Sequence, residues 1–423
     1  MRVLVVGGGG REHALAWALA RDPAVDALVA APGNAGIEEV AQCVPVEATD
    51  VDGIVSLVEA ESIDLTVVGP EAPLVAGLVD LLEARGRRAF GPTAAGARIE
   101  GSKVWAKELL LRHGVPTGRA EITDDVTRAV MLLDAFEPPY VIKADGLAAG
   151  KGVVVTADRQ EAIEAVESML VDRAFGSAGD RVLIEEHLEG REVSVLALTD
   201  GEAVLPLEPA QDFKRALDGD RGPNTGGMGA FSPVPAVDDA TGRQITAEIL
   251  EPTIAALAAE GVRYRGVLYA GLMLTSDGPK VLEFNARFGD PEAQAVLPRL
   301  DSDLAEALLA CVEGRLGEVK VAWSPESCVT VVLASGGYPG PYGTGFPIEG
   351  LDAAGKSDRV AVFHAGTARR DGRVVTAGGR VLAVSALGTD LADARTRAYR
   401  AASQVSFEGA HRRNDIAMEA AGD

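Results

Sequence analysis

Apolar and polar positions along the chain follow two alternating patterns. Residues 2–6 read as a buried strand, with Val3–Val6 unbroken apolar, after which Gly7–Gly10 interrupt it and residues 11–20 read as a helical run. Further short strands are expected at 26–30, 63–69 and 87–90, with helical patterns such as 74–85 between them. Short buried strands alternating with helices imply a parallel sheet, so the first ~100 residues read as a small doubly wound α/β domain.

The pattern then changes. A helix is expected around 102–113, carrying Lys103 and Lys107. Strands at 140–144 and 152–156, a helix at 159–171 and a strand at 181–186 make a compact α+β unit over residues 120–190. Beyond it the strands pair as hairpins: 193–199 with 203–207 across Asp200-Gly201, and 268–275 with 280–285 across 276–279. Residues 214–235, KRALDGDRGPNTGGMGAFSPVP, read as one long Gly/Pro-rich loop, a length that is usually functional or disordered inside a compact domain. The last section, from about 326, offers strands at 327–334 and 359–365 and a helix at 390–404. The expected organisation is therefore an N-terminal domain over 1–101, a central pair of α+β units over 102–325 with 120–190 as a lid, and a small α+β domain over 326–423.

Composition narrows the classes of function. The 423 residues carry a formal net charge of −23 and a pI near 4.7, which argues against sequence-independent nucleic-acid binding, since that needs a basic face. Three cysteines, Cys43, Cys311 and Cys328, are far apart, with no CxxC pair; neither a disulfide framework nor a zinc cluster is supported, and a reducing cytoplasm is the expected setting. The apolar run at the start is too short for a secretion signal, and no 18-residue apolar stretch suggests a membrane span.

Four stretches carry candidate chemistry. Residues 141–155, VIKADGLAAGKGVVV, place a glycine-rich loop with a lysine between two β-branched runs. A P-loop needs G-x-x-x-x-G-K-[ST]; here three residues separate Gly146 from Gly150, Gly152 follows Lys151, and a strand follows the loop. The stretch reads instead as a strand–loop–strand flap, with Lys143 in an apolar strand where it needs an anion. The N-terminal glycines break the dinucleotide fingerprint, because Glu12 or His13 falls at the third glycine position and no acidic residue ends the second strand. The turn still suits a single phosphate or other anion. In VLEFNARFGDPE, residues 281–292, Glu283 and Asn285 alternate along a strand and share a face, as Mg²⁺ ligands near phosphates must, and Arg287 joins them if the strand continues. In LIEEHLEGREVS, residues 183–194, a buried strand can present backbone to an adenine edge and Glu192 can reach ribose hydroxyls.

Together the stretches GGREHALAW, APGNAG, VGPEAPL, FGPT, EGSK, VIKADGLAAGKGV, IEEHLEGREVS, GPNTGGMGAFSP, LYAGLM, EFNARFGDPE, ASGGYPG, FHAGT and GGRVL resemble the ATP-grasp superfamily of carboxylate–amine ligases. More narrowly they resemble the phosphoribosylamine–glycine ligase family, almost end to end. Small departures are Gly8, Ala286 and the Arg413–Ile416 stretch. The resemblance implies a flap, including Gly146, Gly150, Lys151 and Gly152, that closes over ATP between two α+β units. It implies ATP-phosphate contacts from Lys107 and Lys143, adenine contacts from Glu185, Glu186 and Leu188, and a ribose contact from Glu192. Glu283 and Asn285 are implied ligands of Mg²⁺ or Mn²⁺. Arg287 and Asp212 would orient glycine, with Arg287, Lys143 and Asp212 the catalytic set. Gly8, Gly9, Gly10, Glu71 and Arg380 would hold phosphoribosylamine and its phosphate. The implied reaction passes through glycyl phosphate, needs no protein nucleophile and is carried out by a monomer. Another ATP-grasp carboxylate–amine ligase, acting on a different acid or amine, is the alternative.

Overall fold

A computed structural model of the chain describes residues 1–146, 152–172 and 179–422. The N-terminal apolar runs form a five-stranded parallel sheet in the order Gln42–Cys43, Ala27–Pro32, Arg2–Gly7, Leu65–Val68 and Ala89–Phe90. Chain order reverses on either side of Arg2–Gly7. The connections leaving Arg2–Gly7 and Leu65–Val68 therefore part to opposite faces and open a crevice at the carboxyl ends of the strands. The Gly8–Gly10 turn and Glu71 both sit there, at the starts of the helices Gly10–Leu19 and Glu71–Val75. The expected helix over 74–85 is broken in two, Glu71–Val75 and Leu78–Glu83, because Gly77 takes φ +84°, a left-handed conformation that stops the first helix.

The helix Lys103–His113 has sharp ends. Ser102 accepts a hydrogen bond from the Trp105 amide at its start, and Gly114 ends it at φ +68°. Beyond it, the strands Ala120–Thr123, Val182–Glu185, Tyr140–Ala144 and Val153–Thr156 form an antiparallel sheet in that order, backed by the helices Val126–Leu132 and Arg159–Leu170 over a core of their own. Lys143 pairs with Val153, so the two strands of the flap are antiparallel neighbours, as the sequence suggests. The flap residues Gly150 and Lys151 lie outside the described residues.

A second antiparallel sheet runs Val204–Pro206, Arg191–Thr199, Gly266–Thr275, Gly278–Asn285. A third, of five strands, runs Gln211–Asp212, Gly229–Ser232, Ser327–Ala334, Arg380–Gly388, Val360–His364. This third sheet joins strands from the expected central region to strands from the C-terminal section. The stretch 214–235 is consequently not one loop. It contains the hairpin Arg215–Leu217 with Arg221–Asn224 and the strand Gly229–Ser232. Local glycine and proline content hides these strands; the hairpin strands pair with each other, and Gly229–Ser232 pairs with the distant Ser327–Ala334. Arg413, 1% exposed, braces the hairpin by ion pairs to Asp220 and Asp415, each at 2.7 Å, and a bond to the Arg215 carbonyl at 3.1 Å.

A buried histidine pair joins the first and last sections. The His364 amide donates to His13 Nδ1 at 2.7 Å, and Asn34 Nδ2 donates to both the Gly8 and His364 carbonyls at 2.9 and 2.8 Å. Burial pushes both imidazoles down, His13 to about 3 with help from His364, and His364 to about 4 with help from Arg369. A histidine whose folded pKa is depressed contributes stability that is complete above its unfolded value near 6.5 and is lost as pH falls toward the folded value. We expect the thermal midpoint to drop between pH 7 and pH 5, with His13 alone accounting for about 2 kcal/mol at pH 5. His13→Asn should blunt that drop; an unchanged pH profile in the variant would remove His13 as its source.

Candidate active site

Strand register builds the floor of the site. Gly271 pairs with both Ser194 and Glu283, and Tyr269 pairs with Asn285. Side chains at alternate positions share a face, so Ser194, Tyr269, Glu283 and Asn285 stand on one side of the second sheet, together with Glu192. The strand ends at Asn285, so Arg287 does not continue the alternation as expected. It instead lies past the strand and turns back: Nη2 donates to Asn285 Oδ1 at 3.3 Å and pairs with Glu100 at 2.9 Å. Glu71 faces the guanidinium at 3.5 Å. The atom that faces Glu71 is Nε, and it forms a loose ion pair without hydrogen-bond geometry, so an incoming anion would compete with Glu71 for this donor.

Glu100 was not singled out by the sequence beyond its place in the EGSK stretch. It is a member of this site, accepting the Ala286 amide at 2.7 Å as well as pairing with Arg287. Burial pushes its carboxyl up even beside Arg287, whereas for the half-buried Glu71 the upward push of burial is outweighed by Arg287 and Arg11, which hold it down.

The two lysines converge on one carboxylate. Lys143 Nζ lies 2.8 Å from Glu185 Oε2, and Lys107 Nζ lies 3.3 Å from Oε1. Lys143 also donates to the Leu282 carbonyl at 3.0 Å, and Lys107 to Thr117 Oγ1 at 2.6 Å. Burial acts downward on Lys143, but Glu185 outweighs it and the ammonium is held up; burial lowers Lys107. Glu185, buried, is pulled down by the two lysines. Its carboxylate is thus engaged by the lysines, and its backbone by two strand partners, Ala120 and Val141. The Glu186 amide donates to the Arg119 carbonyl at 3.0 Å. Leu188 lies in the irregular 186–190 link between the first antiparallel sheet and the second. Lys103, on the same helix as Lys107, donates to the Gly146 carbonyl at 2.8 Å, at the root of the flap.

Glu283 is partly buried, which acts upward on its carboxyl, yet Lys214, Lys143, Lys103 and Arg287 hold it below the usual range. Asp212 behaves oppositely. Burial, then the charges of Glu292 and Glu283, push it well above the usual range. Lys214 pairs with Glu192 and stands 3.8 Å from Asp212. Among the described residues no three His, Cys, Asp or Glu side chains converge as a metal cage. Glu283 and Asn285 nonetheless fit Mg²⁺, which is held by one or two protein oxygens and completed by substrate phosphates and water.

At the crevice mouth the Gly9 amide donates to Glu12 Oε2 at 2.7 Å, and the Arg11 amide approaches Asp290 Oδ2 at 3.5 Å. A Cβ at Gly8 would stand 2.3 Å from the Gly33 carbonyl oxygen, so only glycine fits there. Arg380 pairs with the same Asp290 at 3.2 Å and donates to the Gly226 carbonyl and, at 2.7 Å, to the Asp290 carbonyl. One aspartate thus draws Arg380 and the glycine turn together, although about 370 residues of chain separate them.

Two antiparallel α+β units joined by a short link, with lysines from one and a carboxylate–amide strand from the other, define an ATP-grasp fold. The biotin carboxylase domain of a 2-oxoglutarate carboxylase from Hydrogenobacter thermophilus shares it, at TM-score 0.71 and 17% identity over 97% of this chain and 91% of that one. The particular family is set by sequence. Family models described as phosphoribosylglycinamide synthetase match over residues 1–100 (N domain), 101–293 (ATP-grasp domain) and 328–419 (C domain). The chain belongs to this family. It is 51% identical over 425 residues to the phosphoribosylamine–glycine ligase of Streptomyces coelicolor, covering 100% of both chains, and 48% identical to that of Vibrio cholerae, covering 99% of this chain and 98% of the other. The crystal structure of the Thermotoga maritima phosphoribosylamine–glycine ligase superposes with TM-score 0.84 at 35% identity, covering 98% of this chain and 100% of that one.

Proposed function

We propose that this chain joins glycine to 5-phosphoribosylamine at the expense of ATP, giving glycinamide ribonucleotide, ADP and phosphate. End-to-end identity of 51% to a relative bearing that activity in its name carries the reading. The site supports it with the Arg287 guanidinium, which borders Asn285 and is held to Glu71 only by a loose ion pair at 3.5 Å. A carboxylate is a poor acylating agent. Transfer of the γ-phosphoryl group to glycine makes glycyl phosphate, and the ribosylamine then attacks its carbonyl. The chemistry needs alignment and charge neutralisation rather than a protein nucleophile.

Arg287 receives the glycine carboxylate through Nε, with Asp212 beside it. Lys107 and Lys143 exchange part of their contact with Glu185 for ATP phosphate oxygens. Adenine lies along Glu185, Glu186 and Leu188, and the ribose near Glu192. Glu283 and Asn285 hold Mg²⁺ or Mn²⁺, which supplies neutralisation of the phosphate charge. Glu71, the Gly8–Gly10 turn and Arg380 hold the phosphoribosylamine. We further infer a cytoplasmic monomer without nucleic-acid partners, divided near residues 101 and 325 with 120–190 as the lid. Supporting this are the net charge of −23 and three free cysteines; no helix among the described residues is long and apolar enough to cross a membrane.

The test is ADP release with phosphoribosylamine present, comparing glycine with other amino acids and acids. Glycine should give ADP and ribonucleotide in equal amounts; an equal or better response to another acid would replace this reading with a different ATP-grasp ligation. A second outcome concerns the flap. Acyl phosphates hydrolyse, so the flap must exclude water. Shortening 146–152 should leave ADP release running ahead of product, and preserved one-to-one coupling would count against a water-excluding role.

A further inference from the structure

One buried carboxylate at the site has no role in the reaction as described. Glu292 is 3% exposed and begins the short helix Glu292–Val296. Its Oε1 accepts the Tyr269 hydroxyl at 2.7 Å and stands 3.4 Å from Ser194 Oγ; the two hydroxyls are themselves 2.7 Å apart. Both hydroxyls belong to the sheet face that carries Glu283 and Asn285. Among the described residues Oε2 accepts no hydrogen bond and no lysine or arginine comes within ion-pair distance of Glu292; Arg287 acts on it only at longer range. Placement is tight: a Cβ at Gly289 would stand 2.5 Å from Oε2 and 2.9 Å from Tyr269 Cε2.

Asp212 is the second half of the arrangement. It is buried, its pair with Lys214 is long at 3.8 Å, and Lys214 is shared with Glu192. Burial and the charge of Glu292 hold its carboxyl well above the usual range. Two buried carboxylates with so little compensation call for a cation. Mg²⁺ suits this spot poorly, because Oε1 already accepts from two hydroxyls and Mg²⁺ demands near-ideal octahedral geometry at short distances. An ammonium, with three donors and a single charge, suits it well. Arg287 nearby is held to Glu71 only by a loose ion pair at 3.5 Å, a place that a ligand carboxylate can take. A ligand with a carboxylate and an ammonium on adjacent atoms is an α-amino acid.

We propose that Glu292, held by Tyr269 and Ser194 and assisted by Asp212, binds the ammonium group of the amino-acid substrate while Arg287 binds its carboxylate. This rests on the reading that the chain activates glycine. It makes the site selective for an amino acid over the corresponding hydroxy acid, because a neutral hydroxyl leaves the carboxylates unpaired.

Steady-state kinetics of full-length Glu292→Gln, which keeps the shape and removes the charge, test it. KM for glycine should rise about 10-fold or more, as loss of a charged hydrogen bond implies, with KM for ATP within about 2-fold. The preference for glycine over glycolate, read as the ratio of kcat/KM for ADP release, should fall by a similar factor. An unchanged KM for glycine, a retained glycine/glycolate ratio, or a parallel rise in KM for Mg·ATP would each overturn the assignment. If Glu292→Gln does not fold, Tyr269→Phe removes only the hydroxyl that orients Oε1 and should raise KM for glycine about 3-fold; no change there overturns it equally. Wild-type protein that releases no ADP with glycine would refute the proposed function itself, whereas active wild type with an indifferent variant refutes only the ammonium site.

Discussion

Glu283→Ala is expected to lower kcat by about 100-fold or more at saturating ATP and glycine, the scale on which removing one charge-organising group acts at other sites. Glu283 is partly buried on the sheet floor, and four cationic side chains, Lys214, Lys143, Lys103 and Arg287, hold it ionised. Without it a divalent ion keeps only the neutral Asn285 among its protein ligands, and phosphate charge goes unbalanced as the γ-phosphoryl group moves. The surplus of cations still attracts ATP, so KM for ATP should change far less than kcat, and the metal concentration giving half-maximal rate should rise. Titrating Mg²⁺ against rate, with the thermal midpoint followed in parallel, checks this. Turnover within about 3-fold of wild type would remove Glu283 from the metal site.

Lys143→Ala carries the second large effect, again about 100-fold or more in kcat. Its ammonium is held charged by Glu185 at 2.8 Å and fixed by the Leu282 carbonyl at 3.0 Å. It is thereby set between the lid sheet, which carries it, and the floor strand, which supplies that carbonyl. Removing one partner of a buried pair leaves an uncompensated charge, at a cost of about 3–5 kcal/mol. Lys107 remains 3.3 Å from Glu185, so the lower end of that range is expected. Kinetics well below the thermal midpoint separate the two losses: stability falls through Glu185, and rate falls through the missing phosphate contact. A folded variant with near-wild-type kcat would show that Lys143 only neutralises Glu185.

Particular residues show where sequence was sufficient. The alternation of Glu283 and Asn285 follows from strand geometry alone, and the structure has both on one face. The strands Tyr140–Ala144 and Ser327–Ala334 coincide with their apolar runs because both are buried along their whole length. Other features escaped. The strands hidden in 214–235 have little hydrophobic signal: two form a short polar hairpin, and Gly229–Ser232 exists through pairing with a distant segment. Arg287 was expected to extend a strand face; instead its direction is fixed by Glu100 and Glu71, which come from two helices of the N-terminal third. Glu185 was read as part of an adenine edge, and its carboxylate is found between two lysines.

Local order, then, was written into the chain: the period of its apolar residues, the glycines that end helices, and the motifs of its family depend on near neighbours and can be read in line. Which charges meet was decided only by folding. Pairings such as Arg380 with Asp290, Lys143 with Glu185, and Glu292 with Tyr269 form between residues far apart in the chain. Burial then makes each pairing matter, since a charge withdrawn from water must find its partner wherever the topology brings one.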